Sequence, residues 1–191
     1  MNIYKKQIPN LITGLRVILV LPIVWALLTS KFELAILLFI IAGVSDGVDG
    51  YLAKRFDWSS RIGGILDALA DKFLLTSTFL CLWLLNVFSG WFVIWVLLRD
   101  LMIIFGGIVY NLRVAKFNPK PSLISKINTF LQIVLAALGV IHIGLYPIPE
   151  WLLDIFIYTV TLTVLLSGVG YIKEWGQGVS VSNISQQRRK I

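Results

Sequence analysis

The chain has 191 residues, of which 58% are hydrophobic and only 14% charged, whereas soluble domains carry about 25% charged residues. Its mean hydropathy is +0.85. A soluble globular fold is excluded, and apolar segments fill so much of the length that no separate extramembrane domain fits. The formal charge is +7, and the single cysteine, Cys81, excludes an internal disulfide and a cysteine-based zinc site.

In chain order, hydropathy predicts six helices at about 11–30, 33–54, 62–88, 90–112, 123–145 and 150–172, each near the roughly 20 residues that cross a bilayer. Lys5 and Lys6 precede the first apolar run, but no small-residue cleavage site follows it, so this helix is expected to remain as an anchor. Short links such as Ser89-Gly90 and Tyr146-Pro147-Ile148-Pro149 separate the helices, and the longest link, 113–122, holds Pro119 and Pro121. Trp91, Trp95, Trp151 and Trp175 fall near predicted span ends, where aromatic side chains anchor at the interface. The expectation is an all-α polytopic membrane protein, with residues 1–175 forming one six-helix membrane-embedded domain and 176–191 a polar, mobile cytoplasmic tail.

Sorting the basic residues over this threading puts 13 of the 17 on the side of the N-terminus, one (Lys31) on the other side, and Arg16, Lys72 and Arg99 inside spans. That bias places both termini in the cytoplasm. It also accounts for the positive charge by topology and attraction to anionic lipid, which removes nucleic acid as a partner.

The acidic residues carry the chemistry. Asp46, Asp49, Asp67, Asp71 and Asp100 lie within apolar spans or at their cytoplasmic ends. An aspartate at the centre of an inserted helix costs about 3 kcal/mol, so the four from Asp46 to Asp71 would cost on the order of 10 kcal/mol if uncompensated. Asp46 and Asp49 are three residues apart and Asp67 and Asp71 four apart, so each pair shares one helix face. The two helices are consecutive and joined by a short cytoplasmic link, which lets the pairs converge. Carboxylates converging without histidine or cysteine make a hard oxygen site suited to Mg²⁺ or Mn²⁺, and two such ions form a clamp for substitution at phosphorus. Structural pairing with Arg16, Lys72 and Arg99 is the competing explanation, but three cations cannot neutralise five carboxylates. Gly47, Gly50, Gly63 and Gly64 surround the same carboxylates. Either close helix packing or close approach of a phosphate to the backbone explains them. His142, near the outer end of the fifth helix, lies far from this cluster.

The run Asp46-Gly-Val-Asp49-Gly50-Tyr-Leu-Ala53, followed by Gly63, Asp67 and Asp71, resembles the signature of the CDP-alcohol phosphatidyltransferase family, D-x2-D-G-x2-A-R-x8-G-x3-D-x3-D. Seven of eight fixed positions match over 26 residues. The exception is Lys54, which stands where the family has arginine, with Arg55 next to it. Ile8-Pro9-Asn10-Leu11-Ile12-Thr13 with Arg16 resembles the family's opening helix, and Arg99-Asp100 and the stretch from Lys120 to Gln132 resemble its fourth and fifth, covering about residues 7–135.

The resemblance implies a six-helix membrane enzyme, usually a homodimer, that moves a phosphatidyl group from CDP-diacylglycerol to an alcohol and releases CMP. It implies that Asp46, Asp49, Asp67 and Asp71 hold two divalent ions, Mg²⁺ or Mn²⁺, in a site open to the cytoplasm. Asp49, Gly50, Ala53 and Gly63 would lie against the CDP moiety, with Lys54 or Arg55 on its phosphate, and Asp71 would also act as general base. Arg16, Arg99 and Lys126 are the cations suited to an anionic, glycerol-based acceptor. Within the family, Arg99-Asp100 and Lys120-Pro-Ser-Leu-Ile-Ser-Lys126-Ile-Asn128-Thr129 resemble members that form cardiolipin from phosphatidylglycerol. The Ile8-Pro9-Asn10 opening and Ala70-Asp71-Lys72 fit members that use glycerol 3-phosphate, and the reading leans to phosphatidylglycerol. An ion-coupled transporter is the alternative from another class; it spreads carboxylates along a path, whereas these cluster at one cytoplasmic level. The expected location is a bacterial inner membrane in preference to a mitochondrial one, since no Arg/Ser-rich transit segment precedes the first helix.

Overall fold

Backbone amides surrounded by apolar side chains must find their hydrogen bonds within the chain, and helices provide them segment by segment. The computed structural model is accordingly all-helical over the residues it describes, which are 8–56, 61–113 and 123–188; the side chains of 8–10, 49, 52–54, 61, 62, 64, 65, 68, 107–113 and 172–188 are outside that description. Six helices follow one another among the described residues: α1 (Ile8–Leu28), α2 (Phe32–Arg55), α3 (Arg61–Leu84), α4 (Gly90–Arg113), α5 (Leu123–Gly144) and α6 (Glu150–Arg188).

Three of them are long and apolar enough to cross a membrane: α1 over Leu11–Leu28, α5 over Leu123–Gly144 and α6 over Glu150–Tyr171. The surface they offer is itself apolar. On α1, Leu11 and Leu21 are 70% and 73% exposed, a burden in water but suited to hydrocarbon. Pro22 sits inside α1 without ending it, as membrane helices tolerate.

The chain divides into two compact units. The first comprises Met1–Ser89 with Ile133–Leu153, the second Gly90–Gln132 with Asp154–Ile191. In the first, α1 packs along both α2 and α3, and Ile23, Leu27, Phe79 and Leu82 are almost wholly buried. In the second, Phe92, Val93 and Val96 of α4 and Val160 and Val164 of α6 are buried.

Two helix ends differ from their predicted positions, for a common reason. The first and third helices are predicted to run to about residues 30 and 88, but they stop at Leu28 and Leu84. Ser30 and Asn86 adopt left-handed backbone conformations, with φ of 57° and 58°. The N–H of Lys31 then bonds the carbonyl of Ala26 at 2.8 Å, and that of Val87 the carbonyl of Leu82 at 2.8 Å. These are Schellman closures, in which a left-handed residue turns the last orphan carbonyls back onto the chain. Toward the C-terminus α6 runs past its predicted end near 172, to Arg188. No proline follows Pro149 to stop it.

Two glycines on α5 mark tight contacts in the first unit. A Cβ on Gly139 would lie 2.7 Å from the tip of the Phe88 ring and 2.8 Å from a Leu82 methyl; one on Gly144 would lie 2.7 Å from Cβ of Phe32. The ring tip and the methyl can shift a little, but a Cβ moves only with its backbone. Gly144→Ala is therefore expected to lower thermal stability in detergent more than Gly139→Ala, with the larger cost in the overpacking range of about 1–3 kcal/mol. Melting curves of the two variants check this order.

Candidate active site

The carboxylates converge from two consecutive helices. Asp67 and Asp71 stand one turn apart on α3, and Asp46 lies in the C-terminal half of α2. One carboxylate oxygen from each of Asp46, Asp67 and Asp71 comes within 4.8 Å of the others. Between them lies a cation from α1. The Nη1 of Arg16 is 3.0 Å from Oδ1 of Asp46 and donates to Oδ1 of Asp67 at 2.9 Å and of Asp71 at 2.8 Å.

Arg16 is fully buried, while the side chains of Asp46, Asp67 and Asp71 remain 39%, 41% and 29% exposed. One positive charge thus sits beneath three negative ones that stay open to an approaching ligand. The donor set is all oxygen, which fits Mg²⁺ or Mn²⁺, and the guanidinium nitrogen already marks a position favourable to a cation. A cavity of about 30 Å³ adjoins Arg16, Asp46 and Asp71 and is otherwise lined by apolar side chains, including Phe39, Leu74 and Ile133.

The expected fourth carboxylate, Asp49, lies on α2, but its side chain is outside the described residues, as are those of Ala53 and Lys54. Arg55 is exposed, and Gly63 is partly buried. Gly43, Gly47 and Gly50 recur at spacings of four and three along α2, and a Cβ at any of them would meet nothing within 4 Å. Among the described residues these glycines are not holding a neighbouring helix close. That leaves their open face free for a ligand to reach the backbone.

The other two predicted cations belong to the second unit. Arg99 is buried on α4 and bound within that unit: Nη1 donates to Asp100 at 2.7 Å, Nη2 to Ser125 Oγ at 2.8 Å and Nε to Ser167 Oγ at 3.1 Å. Its fork therefore joins α4, α5 and α6. Lys126 is exposed near the start of α5. His142 acts locally, since its Nδ1 accepts the Ile148 N–H at 3.0 Å and so secures the link to α6.

A family model for CDP-alcohol phosphatidyltransferase matches residues 6–169. The chain belongs to the CDP-alcohol phosphatidyltransferase family. It is therefore a phosphatidyltransferase of phospholipid synthesis. Among its relatives, a CDP-diacylglycerol–glycerol-3-phosphate 3-phosphatidyltransferase of Aquifex aeolicus is 31% identical over 171 residues, covering 86% of this chain and 93% of the relative. A protein of the same description from Blochmanniella floridana is 32% identical, covering 87% and 89%. A CMP-forming cardiolipin synthase of Rattus norvegicus is 32% identical over 146 residues, covering 68% of this chain and 48% of the relative, so the chain spans about half that protein's length.

Sequence reasoning missed a polar face on α5 of this phosphatidyltransferase. Ser125, Asn128 and Gln132 are buried there, and Thr163 of α6 donates to Asn128 Oδ1 at 2.9 Å. Their spacing of three and four residues, inside an otherwise apolar helix, was the signal that could have found it. The Gln132 amide has no hydrogen-bond partner at either end among the described residues, although the side chain is completely buried. Such a group costs about 1–3 kcal/mol. Gln132→Met is expected to raise the melting temperature in detergent, measured by scanning fluorimetry; loss of turnover in the same stabilised variant would assign the amide to substrate.

Proposed function

We propose that this enzyme transfers the phosphatidyl group of CDP-diacylglycerol to phosphatidylglycerol, releasing CMP and forming cardiolipin. The observation that carries the reaction is the convergence of Asp46, Asp67 and Asp71 on one point. Asp49 completes the metal-binding set in this reading, and two divalent ions, Mg²⁺ or Mn²⁺, are its cofactors. When bound, these ions neutralise the pyrophosphate and make CMP a better leaving group.

The chain's own residues supply the rest. Asp71 accepts the proton of the acceptor hydroxyl as that oxygen attacks the diacylglycerol-linked phosphorus. The new P–O bond forms as the bond to the CMP oxygen breaks, and CMP leaves with the electron pair. Asp49, Gly50, Ala53 and Gly63 lie along the CDP moiety, with Lys54 or Arg55 against its phosphate. The open glycine face of α2 supports that placement. Arg16, Arg99 and Lys126 are the cations assigned to the acceptor; among them Lys126 is exposed, and Arg99 commits most of its donors to Asp100, Ser125 and Ser167.

The choice of phosphatidylglycerol rests on Arg99-Asp100 and on the stretch from Lys120 to Gln132, and the cardiolipin synthases among the relatives support it. A second reading has its own observation. The Aquifex and Blochmanniella relatives, named for glycerol 3-phosphate, match this chain almost from end to end. Residues 1–175 form the catalytic region, with six spans, both termini in the cytoplasm and the site facing that side; the enzyme acts as a homodimer in a bacterial inner membrane.

The deciding assay is CMP release by purified protein with CDP-diacylglycerol and a divalent metal, with the two acceptors in parallel. Turnover with phosphatidylglycerol and none with glycerol 3-phosphate is expected. The reverse pattern moves the enzyme to the second reading, and release with neither removes both.

A further inference from the structure

Arg16 holds a position that chemistry reserves for something else. Its Nη1 lies within 3.0 Å of one oxygen from each of Asp46, Asp67 and Asp71, the same three residues that can place their ligand atoms around one ion. Mg²⁺ coordinates oxygen at about 2.0–2.1 Å and demands near-octahedral geometry. Oxygens drawn in to that distance cannot keep an N–H donor pointed into their centre, because the donated hydrogens would face the ion. Two cations pressed together at a buried position also repel strongly. The guanidinium and the ion therefore compete for the same oxygens.

The surroundings suit such an exchange. Without a cation, three carboxylates at this separation would repel one another, and Arg16 cancels part of that charge. It comes from α1, whereas the carboxylates come from α2 and α3, so its departure leaves the carboxylate hairpin in place. The cavity of about 30 Å³ beside Arg16, bordered by Gly43 and by the apolar Ala42 and Leu75, leaves room for it to shift. The carboxylates are partly exposed while the arginine is not, so an ion reaches the oxygens from the open side and displaces the guanidinium from them.

We propose that Arg16 is the resident counter-cation of the metal-free enzyme, a positioning residue that holds Asp46, Asp67 and Asp71 together and gives them up when the metal binds. The proposal rests on the reading of these aspartates as metal ligands. It makes metal binding an exchange of cations, in which part of the ion's affinity goes to displacing the arginine.

The test is the affinity of the purified full-length protein for Mn²⁺ alone, by calorimetry or by the free Mn²⁺ spin-resonance signal. The wild type is compared with Arg16→Met, Arg16→Lys and Asp67→Asn, and melting temperatures are taken in EDTA and in saturating Mn²⁺. Arg16→Met is expected to bind Mn²⁺ at least about tenfold more tightly, to melt lower than wild type in EDTA, and to gain more from added Mn²⁺. Arg16→Lys should fall between it and the wild type. As a check that needs no variant, Mn²⁺ should raise the labelling of wild-type Arg16 by phenylglyoxal, read by mass spectrometry.

Weaker or unchanged Mn²⁺ binding in Arg16→Met, with Asp67→Asn binding more weakly than wild type, overturns the proposal and leaves the metal reading standing. Identical binding by wild type and Asp67→Asn overturns both. Should Arg16→Met fail to fold even with Mn²⁺, the labelling decides: protection or no change on adding Mn²⁺ overturns the exchange.

Discussion

An Asp71→Asn enzyme is expected to release CMP at least about 10²–10⁴-fold more slowly than wild type, the range that general base catalysis supplies. The amide keeps the shape of the carboxylate and can still meet Arg16, which lies 2.8 Å away, but it cannot take the acceptor's proton. As Asp71 is also one of the three residues grouped around the candidate metal position, the fall should reach the upper part of that range. The comparison needs a variant that folds, so a melting temperature within a few degrees of wild type belongs with the assay. Persisting turnover in Asp71→Asn would remove the base assignment.

Removal of divalent metal should have an effect of similar size. CMP release is expected to drop to background in EDTA and to return with Mg²⁺ or Mn²⁺ but not with Na⁺ or K⁺. The scissile bond lies in a doubly charged pyrophosphate, and monovalent ions do not supply the charge density that a departing phosphate needs. Asp46→Asn and Asp67→Asn should each shift the metal concentration for half-maximal turnover upward, because each removes one of the proposed ligands. Turnover unchanged in EDTA would exclude the metal-dependent route.

The sequence and the structure agree most closely where spacing has only one geometric meaning. Aspartates three and four residues apart in a helix share a face, and a short link between the helices lets the faces meet, so the convergence of Asp46, Asp67 and Asp71 was legible in the sequence. Arg16 was a different matter. The sequence offers it either as a pairing partner of the carboxylates, the explanation set aside above, or as a contact for a substrate phosphate, and no periodicity links α1 to aspartates thirty and more residues later. Only the packing of α1 against α2 and α3 placed it among them.

Helix ends were illegible for a local reason. Serine and asparagine enter the left-handed region less freely than glycine, and hydropathy does not register that Ser30 and Asn86 do so. The polar face of α5 was hidden in a stretch valued for its likeness to a family, when its spacing alone put Ser125, Asn128 and Gln132 on one side of the helix.

The measurement that tests the central claim most directly is anomalous diffraction at the manganese edge, from crystals of the enzyme grown with Mn²⁺ and CDP. The account predicts a difference peak within coordination distance of Asp46, Asp67 and Asp71, with the Arg16 guanidinium no longer among their oxygens. A peak bound by other residues, with these three aspartates still gathered around Arg16, would contradict it.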